Sequence, residues 1–262
     1  MKRLFGSASL ALVLILAGCS SGGGFNLVSL EEEWQLGNQL AADISRQMPI
    51  VNDSAANAYI NRLGQQLVSR TPMANLPWNF HIVDDPDVNA FNIPGGHVYV
   101  TTGLIGASDN VAELAGVMAH EIAHGVERHG TEQMTKNYGL SILASIALGQ
   151  NPAMYQQVLA QVVGGGTMAS FGRDAEREAD VLGTRYMYDA GYNPNGMLTM
   201  FEELLSRRQR EPGRVDKFFS THPLTENRIE LVRSEIAKLP ARSGLVSNSA
   251  DFNTFRQRYG RG

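Results

Sequence analysis

The chain has 262 residues, of which 43% are hydrophobic and 18% charged, with a formal net charge of −4 and a single cysteine. That apolar content excludes a disordered chain, and a mildly acidic balance without a Lys/Arg cluster argues against a nucleic-acid partner. One cysteine excludes an internal disulfide and a Cys-type zinc site, and the length suits one domain with a substantial core.

Lys2 and Arg3 precede an unbroken apolar run, Leu10 to Ala17, which has the length of a signal-peptide core and is too short to span a bilayer. Leu16-Ala17-Gly18-Cys19 resembles the lipobox of bacterial lipoproteins, which implies loss of residues 1–18 and a lipidated Cys19. The competing reading is an ordinary secretory signal with an incidental cysteine. Cleavage before Cys19 removes two cations and no acid, taking the formal charge to −6, so membrane attachment would rest on the lipid and not on a basic patch. Residues 19–30 then form a lipidated tether, flexible through the Ser/Gly run 20–24. Ser20, in place of Asp, resembles the sorting signal for the outer membrane of a Gram-negative envelope, with the body facing the periplasm.

Along the body, Ser29 and Glu32 form a capping-box start, and Leu36, Leu40, Ile44 and Met48 recur every fourth residue until Pro49. A second amphipathic helix starts near Asp53 and carries Tyr59, Ile60, Leu63 and Leu67. Residues Trp78 to Val83 and His97 to Thr101 read as strands of a small sheet, separated by the turn cluster Pro94-Gly95-Gly96. Helical period returns from Ser108, with Asn110 and Glu113 as a cap pair. A further helix spans roughly Ala169 to Ala190, and the last strong one follows Pro223 and ends near Pro240. The apolar stretches Leu140 to Leu148 and Val158 to Val163 read as core or as a helical flap over the site. Gly164-Gly165-Gly166 lacks the Lys-Ser or Lys-Thr of a phosphate loop and reads as a helix connection. Residues 241–262, rich in Ser, Asn and Arg, read as a loosely held tail.

The chemistry centres on His120-Glu121-Ile122-Ala123-His124. Histidines four apart differ by about 40° around a helix, so both imidazoles share a face and can share one metal ion. Glu121, about 100° from His120, is placed beside the metal as a general base. A catalytic zinc takes three protein ligands and an open position, and Glu176 is the best candidate for the third. Asp180 shares its helical face and could accept a hydrogen bond from a ligand imidazole, while Glu178 should point elsewhere. Taken alone, the run 173–180 would read as a solvated charged face. His129 lies nine residues after His120, about 180° around a continuous helix, and reads as a surface or packing residue. His97 reads as a strand residue.

HEIAH and the EREAD block, with Asn89-Ala90-Phe91, Pro94-Gly95-Gly96 and Thr221-His222-Pro223, resemble the zinc metallopeptidase family of HtpX and the CAAX prenyl proteases. The lipobox and the lack of spanning segments are similar to its periplasmic lipoprotein branch, of the LoiP and BepA type. The resemblance runs over roughly residues 31–238. It implies an α+β, mainly α-helical, zincin-like metallopeptidase domain at 31–240, with a small β-sheet packed on the HExxH helix. One Zn2+ per chain is implied, with His120, His124 and Glu176 as ligands, Glu121 as catalytic base and His222 over the metal, binding the oxyanion or shielding the zinc. Arg228 matches the arginine of the family's HPxxxxR block. The substrate class of members with spanning helices does not transfer, and the helical-repeat extension of BepA-like members is not found.

These readings describe a lipid-anchored zinc endopeptidase of misfolded or unassembled envelope proteins, with the outer-membrane assembly machinery as a further partner. Its strand His97, Val98, Tyr99 and Val100 is expected to pair with unfolded substrate as an added strand. The alternatives are a chaperone-like binding factor whose metal site is structural or regulated, and a non-peptidase hydrolase.

Overall fold

The computed structural model describes residues 28–165 and 170–260, so the signal segment, Cys19 and most of the tether lie outside the described residues. The order opens with α1 (Leu30–Gln47), α2 (Ser54–Val68), β1 (Asn79–Val83), β2 (Ala90–Ile93) and β3 (His97–Thr101). Next come α3 (Thr102–Ala107), α4 (Val111–Val126), α5 (His129–Tyr138), α6 (Leu140–Ala147) and α7 (Pro152–Gly165). It closes with α8 (Arg173–Asp189), α9 (Asn195–Arg210), α10 (Pro212–Thr221), α11 (Glu226–Lys238) and α12 (Ala250–Tyr259). The fold is α+β and mainly helical. Among the described residues no helix is long and apolar enough to cross a membrane.

Local chemistry sets the helix starts. Ser29 Oγ accepts from the Glu32 amide, and the Glu32 carboxylate accepts in return from the Ser29 amide, satisfying two otherwise orphaned donors. Asp53 caps α2 through the amides of Ala55 and Ala56, and Asn110 caps α4 through the Glu113 amide. The helix expected from Ala169 instead begins at Arg173, because Phe171 turns inward and is buried against His124.

The sheet order is β1-β3-β2, with β1 parallel and β2 antiparallel to β3. Side chains alternate across it. Ile82, Ala90, Val98 and Val100 join the main core with α2 and α4, while Val83, Phe91, Ile93 and Tyr99 face a second core. That second core holds Leu36, Leu40 and Ile44 of α1 and Leu143, Ile146, Tyr155, Val158 and Val162 of α6 and α7. The two apolar stretches thus cover the sheet together with α1.

Two sequence expectations are corrected here. His97, Val98, Tyr99 and Val100 cannot receive a substrate strand, because β3 is the central strand and both its edges are already paired. β1 and β2 are the outer strands, and the outer side of β1 is itself covered by the Ile50–Val83 bridge and by Asn61 bonded to the Phe80 backbone. Nor is the expected tail from residue 241 loosely held as far as residue 260: Val246 bridges Tyr192, and α12 buries Phe252 and Phe255, with Phe255 stacked on Tyr59. These two aromatic anchors outweigh the polar composition around them.

Candidate metal centre

α4 runs through the middle of the main core, and every residue from Val111 to Val126 except Gly125 is buried. Its neighbours α8 and α9 approach closely because glycines face the contacts. A Cβ on Gly183 would lie 3.0 Å from the His120 amide nitrogen, and one on Gly196 would meet the Ala112 carbonyl carbon at 2.3 Å. This close crossing brings Glu176 and Asp180 of α8 beside His120 and His124 of α4. The turn after α10 delivers His222 from a third side.

The side chains converge. His120 Nε2 lies 3.1 Å from His124 Nε2, 3.3 Å from His222 Nδ1 and 3.6 Å from Glu176 Oε2. Glu176 Oε1 lies 3.0 Å from His222 Nδ1 and 3.4 Å from His124 Nε2. One atom from each of these four residues falls within 4.8 Å of the others. A tetrahedral site with metal–ligand bonds of 2.0–2.1 Å has edges of about 3.3–3.4 Å, and the distances found, 3.0–3.6 Å, bracket that spacing. Glu121 Oε1 and His222 Nε2 are buried without a well-aligned hydrogen bond, as expected of groups arranged for a cation and its substrate. The donor set and its spacing therefore fit a divalent metal.

Around this set lies a buried charge clamp. His120 Nδ1 is 3.1 Å from Asp180 Oδ1, so a hydrogen on Nδ1 would face the carboxylate and Nε2 would be the nitrogen turned to a bound metal. Arg228 grips Asp180 with two hydrogen bonds of 2.7 Å, from Nε and Nη2. It also forms an ion pair with Glu176 and lies over the Phe201 ring.

The electrostatics follow from burial among these charges. Burial opposes a charged His120, but Asp180 and Glu176 overcome it and push its pKa up to about 9. Burial, with like-charged His120 and His222 nearby, holds His124 well below the usual imidazole range despite Glu176. Glu176 is kept well below the carboxylate range, since the surrounding histidines outweigh its desolvation. Glu121 moves the other way, raised chiefly by burial and further by the Glu176 charge. A buried carboxylate held above its ordinary pKa is a stronger base once ionised than an exposed one.

The structure also assigns neighbours that spacing did not reveal. Asn92, on β2, donates to the Glu121 carbonyl at 2.7 Å and approaches Glu121 Oε2 at 3.5 Å; the adjacent Asn89-Ala90-Phe91 block is the only sequence signal for it. His222 Nε2 is 3.3 Å from Glu121 Oε1. His129 is buried and touches His124. Glu178 is not among the converging donors and lies 3.4 Å from His129 Nε2, and His97 lies outside the cluster, bonded to His81 and Asn38.

Comparison with known proteins agrees with this geometry. The model of peptidase family M48 matches residues 54–236. The beta-barrel assembly-enhancing protease of Escherichia coli strain K12 is 34% identical over 236 residues, 86% of this chain and 47% of that protein. The mitochondrial metalloendopeptidase OMA1 of Schizosaccharomyces pombe is 29% identical over 213 residues, 79% of this chain and 62% of its own length. The Arabidopsis thaliana OMA1 is 31% identical over 206 residues, 76% and 38% respectively. The chain spans about half the length of the assembly-enhancing proteases it matches. With 183 consecutive residues under one family model and a buried His/Glu cluster inside them, the chain belongs to peptidase family M48.

Proposed function

We propose that this metallopeptidase is a zinc endopeptidase, with His120, His124 and Glu176 holding one Zn2+ and Glu121 acting as general base. The observation that carries the reading is the placement of Glu121, buried beside the converging donors, with a raised carboxyl pKa and an oxygen 3.3 Å from His222. When bound, zinc supplies Lewis acidity to the site.

The chain's own groups do the rest. Glu121 takes the proton of the attacking water and passes it to the leaving amine. Asn92 fixes the Glu121 turn from the β2 side. His222 Nε2 is placed to donate a hydrogen bond to the oxygen of the scissile carbonyl as it gains charge. Asp180 and Arg228 act through His120 and Glu176, holding tautomer and carboxylate orientation. His120, Glu121, His124, Glu176 and His222 are each at most 1% exposed. Substrate entry therefore requires displacement of covering structure, and the turn carrying His222 is part of that cover. This favours a regulated peptidase over a permanently open one.

The substrates we assign are misfolded or unassembled proteins of a bacterial envelope, supported by the name of the assembly-enhancing relatives and by the lipobox-like segment. The assembly machinery of the outer membrane is the partner that this name suggests. Lipidation at Cys19 places the enzyme on the periplasmic face of the outer membrane; Cys19→Ser is expected to abolish incorporation of labelled palmitate and release the protein from the membrane fraction, and retained labelling would refute it. For the chemistry, zinc-loaded Glu121→Gln is expected to keep one zinc per chain while cleavage of casein falls about 10²–10⁴-fold.

A further inference from the structure

The two histidines of the HExxH pair are supported differently. His120 Nδ1 faces the Asp180 carboxylate. His124 Nδ1 instead lies 2.9 Å from Nδ1 of His129, whose Nε2 lies 3.4 Å from Glu178 Oε2. A continuous helix would carry His129 to the far side of α4. That helix stops at Val126, and Arg128 adopts φ 59°, ψ 31°, the left-handed region, before α5 starts at His129. Such a conformation is sterically disfavoured for a non-glycine residue. The corner is tied down from α1: Arg128 Nε donates to Glu33 Oε2 at 2.7 Å, and Thr131 Oγ1 donates to the same oxygen at 3.0 Å. The reversal turns His129 back onto His124, while Phe171 stacks on the His124 ring, 4.0 Å between centroids at 20°.

The hydrogen positions allow one consistent assignment. Two Nδ1 atoms at 2.9 Å share a single hydrogen. If His124 offers the Nε2 lone pair to a metal, its Nδ1 carries that hydrogen and donates it, so His129 Nδ1 accepts. A neutral His129 then carries its own hydrogen on Nε2, directed at Glu178. The Glu178 side chain is 33% exposed, so the carboxylate ending this chain stays partly hydrated and adds no second buried charge.

We propose that His129, backed by Glu178, is a positioning residue for the metal centre: it fixes the tautomer and ring orientation of His124, as Asp180 does for His120. This rests on the reading of His124 Nε2 as a metal ligand.

The test is zinc affinity of the full chain, measured by competition with a chromophoric chelator at about pH 7.5, with the melting temperature of each metal-free variant as a folding control. Partners behind metal-bound histidines are worth about 10–100-fold in affinity. His129→Leu, which offers no acceptor, is expected to lose that much. His129→Asn can present its amide oxygen to His124 Nδ1–H and is expected to recover most of the loss. Glu178→Gln, altered at a partly exposed position, is expected to lose less than His129→Leu but more than twofold. Affinities of His129→Leu and Glu178→Gln within twofold of wild type would overturn the positioning role, as would an Asn variant no better than Leu. If His129→Leu fails to fold, the Glu178→Gln result decides alone. A wild type that binds no zinc would overturn the ligand reading and this inference with it, and is distinguishable because no variant enters that comparison.

Discussion

Arg228 joins two buried carboxylates of α8, Glu176 and Asp180, to one cation inside the core, and its removal should cost more than any surface ion pair. Its Nε and Nη2 hold Asp180, and its Nη1 pairs with Glu176, all at buried positions. Breaking a buried pair by deleting one partner leaves uncompensated charge, worth about 3–5 kcal/mol. Arg228→Met, which keeps much of the volume, is expected to lower unfolding stability by that amount in urea; a loss under about 1 kcal/mol, the range of an exposed pair, would show the clamp to be dispensable. At this scale the spacing of four makes the shared faces of His120 with His124, and of Glu176 with Asp180, legible in the sequence alone. Arg228 and His222 are visible there only through family resemblance, because nothing local ties a turn after α10 to a helix a hundred residues earlier. A helical-wheel projection misplaces His129, since it requires an unbroken helix. A left-handed arginine, held by Glu33 of α1, is a tertiary effect with no glycine to announce it.

The crossing of α4 with α8 depends on Gly183, whose missing Cβ admits the His120 amide at 3.0 Å. Gly183→Val would force the helices apart, moving Glu176 and Asp180 from His120 and His124 together. Overpacking of this kind costs about 1–3 kcal/mol, and zinc affinity should fall with stability; unchanged affinity in a folded Gly183→Val protein would show that the crossing does not set the site. Capping residues make the starts of α1, α2 and α4 legible in the sequence, since Ser29, Asp53 and Asn110 bond their own helix amides. The four residues of β2 are too few for a period to register, and without that strand β3 reads as an available edge. α12 is hard to see because composition averaged over 241–262 hides the two phenylalanines that dock it.

For the molecule as a whole, the sheet carries a second titratable group outside the metal cluster. His81 and His97 stack between β1 and β3, 3.2 Å apart, with His97 bonded to Asn38 of α1. Burial lowers both to about 4 from the ordinary imidazole value, and for His97 the His81 charge adds to the effect. An unfolded chain takes up these protons near pH 6.5, whereas the folded one resists until about pH 4. Their contribution to stability is therefore complete above about pH 6.5 and lost as pH falls from there to about 4. The urea midpoint of wild type should drop across that window more than that of His97→Gln. Equal slopes would remove these histidines from the account. Metal binding is itself pH-dependent, which is why the comparison with a variant outside the metal cluster is needed.

The general-base role of Glu121 is tested by cleavage of casein by zinc-loaded Glu121→Gln beside zinc-loaded wild type. One zinc bound in both, with a rate at least about a hundredfold lower in the variant, is expected; a zinc-loaded Glu121→Gln that cleaves at the wild-type rate would contradict that role.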